Sequence, residues 1–157
     1  MIQVGDKIPA ISVSAVAGGE TSAVSTDQLF AGKKVVLFAL PGAFTPTCSA
    51  SHLPGYVVKA DEFFDKGVDL IACLSVNDAF VMKAWAEAQN AEKITMVADG
   101  GADLTTALGL EMDSGSFGGT RSRRYAMIIE DSVVTALHLE EPKTFDVSSA
   151  EAMLELL

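Results

Sequence analysis

Cysteine is scarce. Two residues, Cys48 and Cys73, are too few for a disulfide framework, so a hydrophobic core has to hold the fold and a reducing interior compartment, the cytoplasm, is the expected setting. Histidine is equally sparse, and His52 and His138 stand far apart without Cys or carboxylate partners at ligand spacing, which argues against a metal site. Basic residues are outnumbered, 11 against 21 acidic, leaving a formal charge of −10. Such a surface repels phosphate backbones and anionic headgroups, so neither nucleic acid nor a membrane surface is an expected partner. No Gly-rich phosphate loop follows a strand. The 24 uncharged residues between Lys34 and Lys59 would be long enough to cross a bilayer, but Pro41, Pro46 and Pro54 interrupt them and Thr45, Thr47, Ser49, Ser51 and His52 would lie in hydrocarbon. No basic segment leads into an apolar stretch at Met1-Ile2-Gln3-Val4-Gly5-Asp6-Lys7, so no secretory signal is expected.

What is present is an ordinary globular composition. With 157 residues, 49% of them apolar, the chain is expected to form one domain over 1–157. Residues 35–40, 68–74 and 94–98 are short continuous apolar runs, the pattern of strands buried on both faces. Between the first two, 45–66 has helical spacing with a break expected at Pro54-Gly55. Between the second and third, Phe80, Val81, Ala84, Trp85 and Ala88 form a helical stripe behind a cap expected at Asn77. Residues 102–110 suggest a shorter helix, and 113–119 a Gly/Ser-rich loop. A hairpin is expected over 125–139, and Ser148-x-x-Glu151 reads as a capping box opening a last helix. Strand and helix in alternation build an α/β fold with largely parallel central strands. The late hairpin and closing helix are those of a thioredoxin-like sandwich, its mixed central sheet flanked by helices.

The chemistry concentrates at Pro41-Gly42-Ala43-Phe44-Thr45-Pro46-Thr47-Cys48-Ser49, just past the C-terminal end of a buried strand, where open α/β sheets place their ligands. With Thr45 as N-cap, Pro46 falls at the first helical position and Cys48 in the first turn. Free amides and the positive end of the helix dipole favour a thiolate there. The dipole supplies only about 1 kcal/mol, so a cation is called for. All the arginines, Arg121, Arg123 and Arg124, fall within four residues just before the Tyr125 strand, and a guanidinium can both stabilise a thiolate and bond an oxygen substrate. Alternation puts Arg123 and Arg124 on opposite faces, so not all three can serve one site. His52, one turn after Cys48, is either a surface histidine or a base facing the thiol. Cys73, within an apolar strand, reads as a buried structural cysteine.

Pro41-x-x-x-Thr45-x-x-Cys48 resembles the active-site motif of the peroxiredoxins, in the form of their type II branch, which includes plant type II and mammalian peroxiredoxin five. His52-x-Pro54-Gly55, the segments 73–78 and 80–85, and Arg123-Arg124-Tyr125-Ala126-Met127 are similar to that branch too, so the resemblance spans essentially the whole chain. It implies a thiol peroxidase acting on hydrogen peroxide and organic hydroperoxides with no metal, haem, flavin or other cofactor. It implies Cys48 as the peroxidatic cysteine, Thr45 and Arg124 as its catalytic partners and Pro41 as its shield, with Gly42, Thr45, Cys48 and Arg124 around the peroxide. Some members carry a resolving cysteine near the C-terminus, where this chain has none. The reducing thiol is then external, glutathione with glutaredoxin or thioredoxin, or else Cys73. Relatives also suggest a homodimer, with Phe80 and Trp85 as interface candidates. The rival from another class is a non-enzymatic thioredoxin-like redox sensor or interaction module. A disulfide oxidoreductase is disfavoured because Thr45 occupies the first position of a C-x-x-C.

Overall fold

The computed structural model describes residues 1–157. In chain order it forms β1 (Ser12–Ala17), β2 (Glu20–Ser25), α1 (Thr26–Phe30), β3 (Lys34–Ala39), α2 (Leu53–Val58), α3 (Ala60–Asp65), β4 (Leu70–Ser75), α4 (Ala79–Ala88) and β5 (Thr95–Ala98). It continues with α5 (Asp103–Leu108), β6 (Glu111–Asp113), β7 (Thr120–Ser122), β8 (Tyr125–Glu130), β9 (Val133–Leu139) and α6 (Ala150–Leu154). Seven strands make one sheet in the order β2-β1-β5-β4-β3-β8-β9. Only β3, β4 and β5 run parallel to one another; the flanking pairings are antiparallel, so the sheet is mixed. β6 and β7 form a separate small ribbon.

Alternation along β3 explains the layers. Val36, Phe38 and Leu40 join a core closed by α2, α3, α4 and α6 through Leu53, Tyr56, Phe63, Met82, Trp85 and Met153. Val35, Leu37 and Ala39 join a second core on the opposite face, closed by Phe30 of α1 and Leu104 and Leu108 of α5. With both faces covered, an uninterrupted apolar run is the pattern such a strand requires.

Local chemistry moves several expected boundaries. The helical segment after β3 does not break at Pro54-Gly55: proline sits in the first turn of α2, where its missing N–H is harmless, and the break falls at Lys59 (φ −99°, ψ 9°). The cap of α4 is Asp78, not Asn77, its carboxylate accepting from the Val81 amide at 2.8 Å. On that helix Met82 and Trp85 are buried, whereas Phe80, Ala84 and Ala88, three of the five residues of the expected stripe, are exposed. Ser149, not Ser148, caps α6, accepting from the Ala152 amide at 3.1 Å. The first 30 residues, for which the hydropathy pattern suggested no element, supply β1, β2 and α1.

Candidate active site

β3 ends at the point where the parallel strands open. Leu40 still donates its amide to the Leu74 carbonyl (3.2 Å), and the chain then turns through 41–45 with Phe44 in the left-handed region (φ 63°). Helical backbone begins at Pro46, and the Ser49 amide closes the first helical bond on the Thr45 carbonyl (2.9 Å). Thr45 therefore stands at the helix boundary, as its sequence position suggested. Its hydroxyl is not a cap: it donates to the Gly42 carbonyl at 2.7 Å, which commits its proton and leaves the oxygen lone pairs free to accept. The next turn, Cys48–His52, is wound wide, with the Leu53 amide reaching back five residues to the Cys48 carbonyl.

Cys48 is buried at 1% exposure. Of the three arginines, Arg124 reaches it, with Nη2 donating to Sγ at 3.2 Å. Arg121 turns instead onto the end of β3, Nη1 donating to the Pro41 carbonyl at 2.9 Å with its guanidinium over the Phe117 ring. Arg123 lines the neighbouring cleft, which is closed on its far side by the 140–145 segment. Pro41, Thr45, Pro46, Thr47, Phe117 and the two inward arginines form the mouth beside the thiol.

His52 overturns the expectation of a surface residue. It is fully buried, packed against Phe38 and Phe145 with ring centroids 5.0 Å away in each case. Nδ1 lies 2.7 Å from Arg124 Nη1 and Nε2 lies 3.1 Å from the Ser148 carbonyl. A guanidinium can only donate and a carbonyl can only accept, so the ring carries its proton on Nε2 and is neutral. Burial, reinforced by the Arg124 charge, pushes the His52 pKa down to about 3. This histidine is no base for Cys48; it aims Arg124.

The Ser148 carbonyl that fixes His52 also accepts from the Tyr56 hydroxyl at 2.8 Å. Ser148 is itself held by Glu140, whose carboxylate takes the Ser148 amide (2.9 Å) and hydroxyl (2.7 Å) and the Asp146 amide (2.6 Å). Burial alone would raise the Glu140 carboxyl; the Ser148 hydroxyl, the Asp146 and Ser148 amides and the Thr144 hydroxyl together hold it below the usual range. Glu140 did not stand out in the sequence and Ser148 did so only as a helix cap, because neither the fold of the loop that joins them nor the approach of His52 and Tyr56 to the Ser148 carbonyl is encoded in the hydropathy pattern.

Cys73 lies in β4 in register with Phe38 and Met96, fully buried, and burial pushes its thiol well above the usual range. Trp85 is corrected as an interface candidate: it is fully buried in its own chain, with Nε1 donating to Ser49 Oγ at 3.1 Å. Phe80 stays 87% exposed. No group of three or more His, Cys, Asp or Glu side chains is placed to hold a metal ion, and no helix is long and apolar enough to cross a membrane.

Comparison with known proteins places this geometry. The Redoxin family matches residues 3–154. The chain is 53% identical to the chloroplastic peroxiredoxin-2E-2 of Oryza sativa subsp. japonica, covering 99% of this chain and 72% of that protein. It is 47% identical to peroxiredoxin-2D of Arabidopsis thaliana, covering 99% of this chain and 98% of that protein. Among solved structures, reduced Prx3 of Vibrio vulnificus in complex with H2O2 superposes with a TM-score of 0.96 at 60% identity, covering 99% of each chain.

Proposed function

The chain belongs to the peroxiredoxins and is a thiol peroxidase, and from that premise we propose that Cys48 is the nucleophile, with Arg124, Thr45, Pro41 and Gly42 forming its peroxide site. The Arg124 Nη2 to Cys48 Sγ hydrogen bond, 3.2 Å long, carries this reading. The thiolate sulfur attacks the terminal oxygen of R–O–OH. An S–O bond forms as the O–O bond breaks, and the electron pair leaves on the second oxygen, which takes up a proton to become water or an alcohol. Arg124 has donors to spare for that oxygen, since each η nitrogen carries a second hydrogen. Thr45, its own proton held by the Gly42 carbonyl, accepts from the peroxide O–H. Pro41 walls the mouth.

The product is a sulfenic acid. An external thiol condenses with it, releasing water and leaving a mixed disulfide that a second thiol exchanges. Glutathione with glutaredoxin is the proposed reductant, thioredoxin the alternative; burial of Cys73 in the middle of the sheet supports an outside thiol. A homodimer in the cytoplasm is the proposed assembly and setting, with exposed Phe80 supporting the former. Peroxide turnover measured with glutathione plus glutaredoxin and with thioredoxin in separate reactions tests the reductant. Turnover should vanish in Cys48→Ser, and substantial residual activity there would overturn the site.

A further inference from the structure

Arg121 leaves the small ribbon, where it pairs with Met112, and crosses to the central sheet to bind the Pro41 carbonyl. Its path runs over two glycines. A Cβ on Gly42 would collide with Nη1, and one on Gly118 would stand 2.8 Å from Cζ and nearer still to Nε. Neither glycine has a left-handed φ, so the backbone does not ask for glycine at either position; the passage of a guanidinium does. The Arg121 Nε is buried there without a protein acceptor, so the path that brings Nη1 to the Pro41 carbonyl leaves another of its donors unsatisfied.

The turn it grips is the one that aims Thr45. Arg121 fixes the Pro41 carbonyl, and the next carbonyl, Gly42, takes the Thr45 hydroxyl. The following amide, Ala43, donates to Asn77 Oδ1 at 3.0 Å, an oxygen that also accepts from Ser75 Oγ at 2.6 Å. The Gly42 carbonyl lies in the next peptide plane, so a rotation of the Pro41–Gly42 peptide that is not undone at the Gly42 dihedrals would shift that carbonyl, and with it Thr45, away from this arrangement. Asn77 holds one side of the turn and Arg121 the other.

We propose that Arg121 is a positioning residue for peroxide reduction, a clamp on the 41–45 turn that sets where Thr45 Oγ1 stands relative to Cys48 Sγ. The inference rests on Cys48 being the nucleophile. A clamp differs from a charge: Arg124, not Arg121, bonds the sulfur, so Arg121 governs the placing of the oxygen substrate and not the reactivity of the thiol. The two are separated by comparing peroxide with iodoacetamide, an alkylating agent that needs a free, accessible thiolate but no oxygen pocket.

The experiment measures second-order rates of Cys48 with hydrogen peroxide and with iodoacetamide in the full chain and in Arg121→Met, Arg121→Lys and Gly118→Ala. Arg121→Met should lower the peroxide rate about 10- to 100-fold, the penalty of a misplaced reacting group, with alkylation within about twofold of the parent. Arg121→Lys should recover part of the loss, because an ammonium can still donate to the Pro41 carbonyl. Gly118→Ala, which displaces the guanidinium while keeping it, should move the peroxide rate in the same direction and carries the test if Arg121→Met does not fold. An unchanged peroxide rate in both, or a parallel fall in alkylation, would overturn the clamp. A parent chain whose Cys48 does not react with peroxide would instead overturn the assignment of the nucleophile.

Discussion

His52→Leu is the perturbation that isolates how Arg124 is aimed. Leucine keeps most of the volume packed between Phe38, Tyr56 and Phe145 but offers Arg124 no acceptor. The lost hydrogen bond is the 2.7 Å contact from Nη1 to Nδ1, and bonds to a charged group contribute about 1.5–3 kcal/mol. If the guanidinium then swings off Sγ and that whole amount is missing from the transition state, the rate falls roughly 10- to 150-fold. His52→Asn is the matching control, since its amide oxygen stands near the place of Nδ1 and restores an acceptor, while the Ser148 carbonyl loses the imidazole donor and keeps the Tyr56 hydroxyl. Stopped-flow measurement of peroxide reaction at Cys48, with near-ultraviolet circular dichroism to confirm the fold, reads the outcome. A folded His52→Leu protein that reacts at the parent rate would refute the reasoning, because Arg124 would then hold its aim without the histidine.

Further outcomes follow from the same network. Cys73→Ser should keep most glutathione-supported turnover, because a fully buried thiol in β4 reaches Cys48 only after local opening; a Cys48–Cys73 disulfide in the intact mass after peroxide, with loss of recycling in the variant, would show the opposite. Acid should weaken the fold through His52: its folded pKa, about 3, lies below the unfolded 6.5, so its contribution is complete above pH 6.5 and is lost as pH falls toward 3. From pH 7 to pH 5 the loss is about 2 kcal/mol, and urea titrations at the two values should show it in the parent and not in His52→Asn. Trp85, the single tryptophan, is tied to Ser49, the residue after Cys48, so stoichiometric peroxide should change its fluorescence if Cys48 is the nucleophile; no change would mean that oxidation leaves the turn where it is.

The parts of this site that could be read from the sequence are those set by contiguous patterns. Apolar runs marked β3, β4 and β5, and a proline, threonine and cysteine after the first of them marked a helix start with a thiol in it. The exposed edge strand β2, Glu20-Thr21-Ser22-Ala23-Val24-Ser25, buries too little to alternate, and it was invisible for that reason. Adjacent polar residues defeat capping signals: Asn77 and Asp78 both suit a cap, as do Ser148 and Ser149, and the choice is made by tertiary partners, Ala43 for Asn77 and Glu140 for Ser148. His52 shows the limit most clearly. Its spacing from Cys48 was plain, but its burial depends on Ser148, 96 residues away, and on Phe145 in the same loop. The arginines divide likewise, since one faces the sulfur and one the Pro41 carbonyl for reasons that lie in the small β6–β7 ribbon.

A neutral partner for Arg124 has an electrostatic consequence that the acidity of the chain sharpens. With 21 carboxylates available, an arginine would ordinarily acquire one, yet the ion pairs are Lys34–Glu130, Lys59–Glu62 and Lys93–Asp61, and none involves an arginine. Glu140 sits beside Arg124, its backbone amide donating to the Arg124 carbonyl at 3.0 Å, but its carboxylate is occupied by the Asp146 and Ser148 amides and the Ser148 and Thr144 hydroxyls and makes no ion pair with the guanidinium; the side-chain acceptor that Arg124 has is the uncharged ring of His52. A carboxylate in the place of His52 would hold the guanidinium as firmly but would cancel most of its field at Sγ, since opposite charges in contact present a dipole to a third group. The imidazole supplies the orientation and leaves the whole charge for the sulfur and, in the proposed reaction, for the departing oxygen. Peroxide is uncharged, so the −10 of the chain neither draws nor repels it, and Arg124, where the proposed chemistry requires positive charge, is left without a carboxylate partner.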